Sequence, residues 1–489
     1  MRSHRLVHTT KNRFWEVHWE GSQVETTSGT LGTNGRASEK SLGSADEADE
    51  WVEAQLAKKR KEGFVELTDV GTKSAGVVVD SLLEQIRNNP ADDSLRLVYA
   101  DQLTAAGDPL GEFIAVQVSL ASAPNGPNAA VHRHRERELL ERFRNLWSGN
   151  LRGADFRFER GFAVEARMRM DDLVAHVAKL WSAAPLLTRL HITNESWRPW
   201  EGIRLLGARP DAERLRELHI TFMAGGSTEV ASALVDSPHF GNLEAISLRR
   251  SGLTDSDVMD LLSPPRWPKL KRVDLRSNAL SGGALSALRR RPLTELLFAH
   301  NRLGRSSVHD LAKDGALGGL ERLGLSGNGI GNEGLQVLAK IPWLNAMKRL
   351  GLSNTGITAS GIAELRGAPI TKHLTHLEVA GNELGAEGLK LILSGVFPAL
   401  THLDVSESLL GDEGVSALIS STLVGQLRSI ELKKNGLTPA SAAQLAKVKF
   451  EQLEYLSVSG NPLGESGLAS LKNAFPKVHV VARGASADE

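Results

Sequence analysis

The chain has 489 residues, which is enough for several domains. Its 58 Lys and Arg residues balance 58 Asp and Glu residues, so no net charge directs the protein to nucleic acid or to an acidic membrane. The absence of cysteine excludes disulfides and Cys-based zinc or nucleophile chemistry. The sequence contains neither an apolar signal segment nor a run long enough to span a bilayer, so we expect a cytoplasmic protein.

Residues 1–66 form the first predicted module. Residues 13–19 alternate between apolar and polar side chains, as a half-buried strand does, and a helix is predicted from Ser44 to Lys61. Three segments carry a resemblance, namely Phe14-Trp15-Glu16-Val17, Gly32-Thr33-Asn34-Gly35-Arg36, and the helix end with Lys61, Gly63 and Phe64. With these segments the module resembles a WGR domain, the small nucleic-acid-binding module of poly(ADP-ribose) polymerases and of many bacterial proteins.

The module departs from that family at its defining tripeptide, where Ser28-Gly29-Thr30 replaces Trp-Gly-Arg. The missing Trp is a stacking surface and the missing Arg is a phosphate contact. The remaining candidates for phosphate contacts are Arg36, Lys58, Lys59, Arg60 and Lys61. The alternative is that the lysines form the solvated end of a helix, whose C-terminal dipole favours cations.

Residues 67–76 are predicted to be a linker, and residues 77–168 a helical domain. The pattern predicts a helix before Pro90, helices over 93–106 and from Phe113 to Leu120, an amphipathic helix over 132–147, and a strand over 156–168. The string Arg96-Leu-Val-Tyr-Ala-Asp, followed by Gly107-Asp-Pro and Gly111-Glu-Phe-Ile, resembles the companion domain that precedes leucine-rich repeats in many bacterial proteins. We interpret residues 77–168 as the cap of the array that follows.

Residues 169–489 contain a recurring unit whose clearest copy is residues 320–340. Leu320, Leu323, Leu325, Asn328 and Ile330 fit L-x-x-L-x-L-x-x-N-x-L, and helical spacing follows, so each unit is a strand, a turn and a helix. About 11 repeats open at the following residues: Leu187, Leu215, Leu243, Leu270, Leu293, Leu320, Met347, Leu374, Leu400, Leu427 and Leu453. The turn position holds these residues: Ser251, Asn278, Asn301, Asn328, Thr355, Asn382, Ser408, Asn435 and Asn461.

A single unit of this length cannot bury enough apolar surface to fold alone, so the units must stack on one continuous core. The array resembles the ribonuclease-inhibitor class of leucine-rich repeats. The resemblance implies an α/β solenoid, a horseshoe with parallel strands on the concave face and helices outside.

The residues beside the buried leucines predict a polarised concave face. Its basic zone contains Arg249, Arg272, Arg276, Arg322 and Arg349, with Asp274 among them. Its acidic zone contains Glu378, Asp404 and Glu431, beside His376, His402 and Tyr455. The floor between the zones is made of small residues: Gly324, Ser326, Gly351 and Ser353. Charge complementarity on such a face would give a partner protein its register; the alternative is that adjacent opposite charges simply neutralise each other.

No motif predicts catalysis, a cofactor, a metal site or a small-molecule substrate. His191 and His219 occupy the same strand position in consecutive repeats, but stacked repeats often share a residue type without chemistry. The leading hypothesis is therefore a non-catalytic scaffold that binds a partner protein on the concave face. One alternative is an adaptor that binds DNA or RNA through residues 1–66. Another is regulation of a small GTPase, because the Ran-type GTPase-activating proteins share this repeat class.

Overall fold

The computed structural model describes residues 2–8, 13–30, 35–66, 73–194, 198–222, 227–262, 266–288, 291–312, 317–394 and 397–481. Its contacts divide the chain into two compact units. The first contains Met1–Met168 and Ala175–Arg189, and the second contains Arg169–Val174 and Leu190–Glu489.

The first unit begins with an antiparallel sheet in the order β4-β3-β2-β1-β5 and one helix packed on it. These elements are β1 (Arg2–His8), β2 (Arg13–Glu20), β3 (Gln23–Thr30), β4 (Arg36–Ser41), α1 (Ala45–Lys61) and β5 (Val65–Glu66). Both elements predicted here are confirmed as β2 and α1. Ser44 caps α1 by accepting a hydrogen bond from the Glu47 backbone N–H. Trp15, Val17 and Leu56 are buried in the shared core.

The helical part of the first unit contains α2 (Lys73–Asn88), α3 (Asp93–Ala105), α4 (Pro109–Ser122), α5 (Ala129–Trp147) and a short α7 (Leu180–Ala183), while α6 (Met170–His176) contributes residues to both units. Helix α2 begins inside the segment predicted to be a linker, of which residues 67–72 lie outside the described part of the chain. Asp108 caps α4 by accepting from the Leu110 backbone N–H at 2.8 Å, and Glu112 pairs with Arg135 at 2.6 Å.

The prediction of one strand over residues 156–168 is wrong. The segment forms a hairpin of β6 (Ala154–Glu159) and β7 (Phe162–Arg169). Arg160 and Gly161 make the turn, with φ of 49° and 90°. Gly161 also packs so closely on Ile114 that a Cβ at this position would lie 2.1 Å from a side-chain carbon.

The second unit is a stack of strand–turn–helix coils, and the predicted fold class is confirmed. Its described strands are parallel and adjacent in chain order: β8 (Arg189–Asn194), β9 (Glu217–Phe222), β10 (Ala245–Arg249), β11 (Arg272–Asp274), β12 (Glu295–Leu297), β13 (Arg322–Gly324), β14 (Arg349–Gly351), β15 (His376–Glu378), β16 (His402–Asp404), β17 (Ser429–Glu431), β18 (Tyr455–Ser457) and β19 (His479–Val481). The helices are α8 (Pro199–Gly207), α9 (Ser227–Asp236), α10 (Asp255–Leu262), α11 (Gly282–Leu288), α12 (Arg305–Ala312), α13 (Gly331–Ala339), α14 (Ala359–Ala363), α15 (Gly385–Ser394), α16 (Gly411–Ile419), α17 (Pro439–Leu445) and α18 (Gly464–Ala474).

The middle residue of each short strand points into the core. Leu323, Leu350 and Leu377 are paired in register on neighbouring strands, and each is at most 1% exposed. Burying one such side chain contributes about 1.5–3 kcal/mol. The aliphatic ladder therefore fixes the register, and with it the positions of the side chains on the opposite face.

The turn asparagines join consecutive coils, as predicted. Asn328 Nδ2 donates to Leu325 O at 2.8 Å within its own coil and to Phe298 O at 3.0 Å in the preceding coil. Its Oδ1 accepts from the Leu303 backbone N–H at 3.0 Å. Asn382 makes the same set of bonds. The stacked asparagines thus satisfy buried backbone groups that the turns would otherwise leave unpaired.

Among the described residues, no helix combines the length and the apolar character needed to cross a bilayer.

Candidate partner-binding face

The side chains that flank the core leucines form two rows across the strands. The first row contains Arg272, Glu295, Arg322, Arg349, His376, His402, Ser429 and Tyr455. The second row contains Asp274, Leu297, Gly324, Gly351, Glu378, Asp404, Glu431 and Ser457. The predicted strand residues therefore share one face, because residues two apart on a strand point the same way.

Most of the predicted basic zone is already paired. Arg272 Nη2 lies 2.7 Å from Glu217 Oε1, and Arg322 Nη1 lies 3.1 Å from Glu295 Oε1. Asp274 accepts from Arg276 at 2.7 Å and lies 3.8 Å from Arg249. The hydrogen bonds that Arg276 donates to Asp274 raise the pKa of its guanidinium. Sequence reasoning missed the two glutamates as partners, although Glu295 lies in the same row, directly between Arg272 and Arg322.

Arg349 differs from the other arginines of the predicted basic zone. It is exposed, and within the described residues no carboxylate lies at ion-pair distance from it. Its row neighbour is His376. Burial lowers the pKa of His376 to about 4, and the positive charge of Arg349 and Arg322, together with His402, contributes to the shift. Burial is the largest cause of this shift, and the neighbouring cations add to it.

The small-residue floor lies between the basic and acidic zones, as predicted. Gly324 and Gly351 are directly paired on neighbouring strands. A Cβ on Gly351 would lie 3.2 Å from Ser326 Oγ and 3.4 Å from Glu378 Oε2. The glycines therefore leave room that a larger side chain would fill, and a pocket of about 320 Å³ opens over them.

The acidic zone is one continuous row on three strands, Glu378, Asp404 and Glu431. Desolvation by the surrounding sheet raises the pKa of Glu378, and the neighbouring Asp404 raises it further, although solvent still reaches the side chain. Burial likewise raises the pKa of Asp404. Glu431 is paired with Lys433. Close carboxylates whose pKa values are raised favour the approach of a cation.

Two pairs of histidines stack on the same face. The rings of His376 and His402 lie 3.9 Å apart and are tilted by 9°, and those of His191 and His219 lie 4.2 Å apart at 3°. His219 Nε2 lies 3.2 Å from Glu217 Oε2. Within the described part of the chain, no group of three His, Asp or Glu residues is arranged to hold a metal ion.

The predicted nucleic-acid candidates lie in the first unit. Lys59 Nζ is 2.7 Å from Glu62 Oε2 and 5.1 Å from the centre of the Phe64 ring, so this lysine is held locally. Lys58, Arg60 and Lys61 are exposed near the end of α1. Arg36 is exposed on the edge strand β4, opposite Ser28 of the replaced tripeptide.

Comparison with known families finds one match near the N-terminus and another within the repeats. Residues 3–70 match the model of the WGR domain, and residues 320–339, 372–393 and 398–418 match a leucine-rich repeat model. The chain thus carries an N-terminal WGR domain and C-terminal leucine-rich repeats. The resemblance of residues 77–168 to a companion domain stays a prediction.

The solved structures that align with the chain share little sequence with it. A Bacteroides fragilis protein aligns over 98% of this chain and 96% of its own, with 14% identity and a TM-score of 0.31. A chain of the yeast Rad7–Elc1 complex covers 64% of this chain and 78% of its own, with 16% identity and a TM-score of 0.41. A Leptospira interrogans leucine-rich-repeat protein covers 65% and 88%, with 18% identity and a TM-score of 0.30. No curated protein matches the chain.

Proposed function

We propose that the protein is a non-catalytic scaffold that binds a partner protein on the exposed strand face of its repeats. The observation that carries this proposal is the arrangement over β13 to β17, where the strands carry an arginine without a carboxylate partner among the described residues, a glycine floor and a row of three carboxylates. Opposite charges across a small-residue floor give a partner both an orientation and space for close approach. The leucine-rich repeats support the same conclusion, because this class of fold exposes one continuous sheet face for macromolecular contact.

Charge reversal on this face tests the proposal. We expect Arg349→Glu and Glu378→Lys each to remove the same specific proteins from those captured by the purified full-length chain out of native lysate, as measured by quantitative mass spectrometry. Arg366→Glu is the matched control, because Arg366 is exposed but lies in the turn after α14 and not on a strand. Retention of every specific protein by both face variants would contradict the proposal.

The WGR domain supports a second candidate function, nucleic-acid binding by the first unit. Lys58 and Lys61 are exposed and have no carboxylate partner among the described residues, so they remain available to phosphates. We expect salt-sensitive binding of single-stranded or nicked DNA in fluorescence anisotropy, weakened by the double change Lys58→Gln and Lys61→Gln. Binding that does not depend on salt or on these lysines would exclude this role. The GTPase-regulating alternative rests on the repeat class alone.

A further inference from the structure

The pocket over the glycine floor is rich in arginine. Its walls are formed by strands β10 to β15 and by the turns that follow them. The arginines that line it are Arg249, Arg250, Arg276, Arg322 and Arg349. His300, Ser277 and Ser326 add further polar groups. Arginines from four coils thus line one volume of about 320 Å³.

The pocket keeps a positive excess after its internal ion pairs are counted. Asp274 pairs with Arg276 and approaches Arg249, and Glu295 pairs with Arg322. Glu378 forms part of the wall. Five arginines against these three carboxylates leave an excess of two positive charges. Within the described residues, Arg250 and Arg349 are the two lining arginines that have no carboxylate partner.

The floor suits a compact oxyanion. Gly324 and Gly351 present backbone in place of side chains, so a ligand can sit low between the arginines. Ser326 Oγ accepts a hydrogen bond from the Ser353 backbone N–H at 3.1 Å. That bond fixes the hydroxyl oxygen at the floor and leaves its proton for an acceptor in the pocket.

We propose that this pocket binds the phosphoryl group of a phosphorylated side chain in an extended segment of the partner protein. The inference rests on the proposed function, and it names the chemistry that the same face recognises. A phosphoryl group carries about −1.5 to −2 charges at neutral pH, which matches the excess in the pocket, whereas a carboxylate carries one. One guanidinium group can donate two parallel hydrogen bonds to the oxygens of a phosphate, and several guanidinium groups can bind the same phosphate.

The acidic row favours basic residues next to the phosphorylated residue in the bound segment. Glu378 borders the pocket, and Asp404 and Glu431 continue away from it on the next two strands. A phosphorylated residue accompanied by Lys or Arg would place each charge against its opposite.

Peptide libraries test this proposal on the full chain. The probe is a fluorescent degenerate library with a central phosphoserine, compared with the same library carrying serine or glutamate at that position and with inorganic phosphate at constant ionic strength. We expect the phosphoserine library to bind at least about tenfold more tightly than either peptide control, since charge-assisted bonds to a dianion are the strongest available here. Arg349→Gln is expected to weaken this binding about tenfold, and Arg366→Gln to leave it unchanged.

Four results would overturn the proposal. They are equal binding of the serine library, equal binding of the glutamate library, insensitivity to Arg349→Gln, and binding of inorganic phosphate without binding of the phosphoserine library. The last result would assign the pocket to a free phosphate compound. None of them affects the lysate capture with Arg349→Glu and Glu378→Lys, so the phosphoryl pocket and the proposed scaffold function fail separately.

Discussion

At the scale of single residues, the repeat turns show what the sequence predicts well and what it does not. The asparagine ladder is predictable, because one side chain must satisfy backbone groups of two coils at a fixed position. Leu409 is not predictable. It follows the turn residue Ser408 with φ of 57°, and in three other coils the same position is held by Gly252, Gly356 and Gly436, with φ of 65°, 72° and 70°. A leucine in this left-handed region is strained, and 71% of its surface is exposed.

Leu409→Gly is therefore expected to stabilise the protein. Relief of the strained backbone is worth about 1–3 kcal/mol, and the greater freedom of glycine in the unfolded chain offsets about 0.5–1 kcal/mol of it. The side chain loses little burial, so we expect a rise in the midpoint of thermal unfolding followed by circular dichroism. Gly436→Ala is the matched control and should lower the midpoint, because it places a Cβ at a positive φ. Destabilisation by Leu409→Gly would show that the leucine side chain makes contacts worth more than its strain.

At the scale of elements, regular patterns locate strands and helices but can hide a turn. In residues 156–168 the apolar side chains Phe156, Phe158, Phe162 and Met168 all fall on even positions, although the chain reverses between Glu159 and Phe162. A turn of two residues keeps the alternation in phase, so the pattern alone cannot distinguish one long strand from a hairpin. The glycine with φ of 90° is the local cause of the reversal.

The coil that opens at Leu270 is shorter than its neighbours, and a buried arginine accompanies this difference. Arg291 is 8% exposed and donates to Leu262 O at 2.6 Å and to Trp267 O at 3.2 Å in the preceding coil. Burial lowers the pKa of this guanidinium. The guanidinium donates to the helix-end carbonyl of Leu262 and the loop carbonyl of Trp267, and so satisfies acceptors that the short connection leaves without a backbone donor. The spacing of the repeats in the sequence gives the length difference. It does not predict the hydrogen bonds of Arg291, because these depend on where the backbone carbonyls of the preceding coil lie.

The candidate site also has some features that the sequence predicts and others that it does not. The rows follow from the repeat length, because parallel in-register strands place equivalent residues side by side. The pairings within the rows do not follow, since Arg272 reaches Glu217 across the intervening strand β10 and Arg276 turns back to Asp274 on its own strand. Side-chain conformation decides these pairings. The sequence therefore predicts which residues share the face, but not that Arg349 has no carboxylate partner within the described part of the chain.

At the scale of the whole repeat array, each described strand pairs with the strands of the neighbouring coils. Stability of such an array is close to a sum of coil terms and nearest-neighbour terms. The interface between β13 and β14 joins Leu323 to Leu350, and the interface between β14 and β15 joins Leu350 to Leu377. The same side-chain type meets itself at both interfaces, so consecutive coils offer nearly interchangeable surfaces.

Deletion of one whole repeat tests that property. Removal of residues 347–373 joins Ala346 to Leu374 and places His376–Glu378 beside Arg322–Gly324. We expect the shortened chain to fold, with unchanged ellipticity per residue and a modestly lower unfolding midpoint, because leucine again packs on leucine. The deletion also removes Arg349 and Gly351, so phosphopeptide binding should be lost while folding is kept. Removal of residues 347–360 is the control: it ends inside α14, leaves half a coil and should abolish cooperative unfolding. If both deletions unfold the array equally, the coils are not interchangeable units. The packing of leucine on leucine in register would then be insufficient to stabilise the strand face.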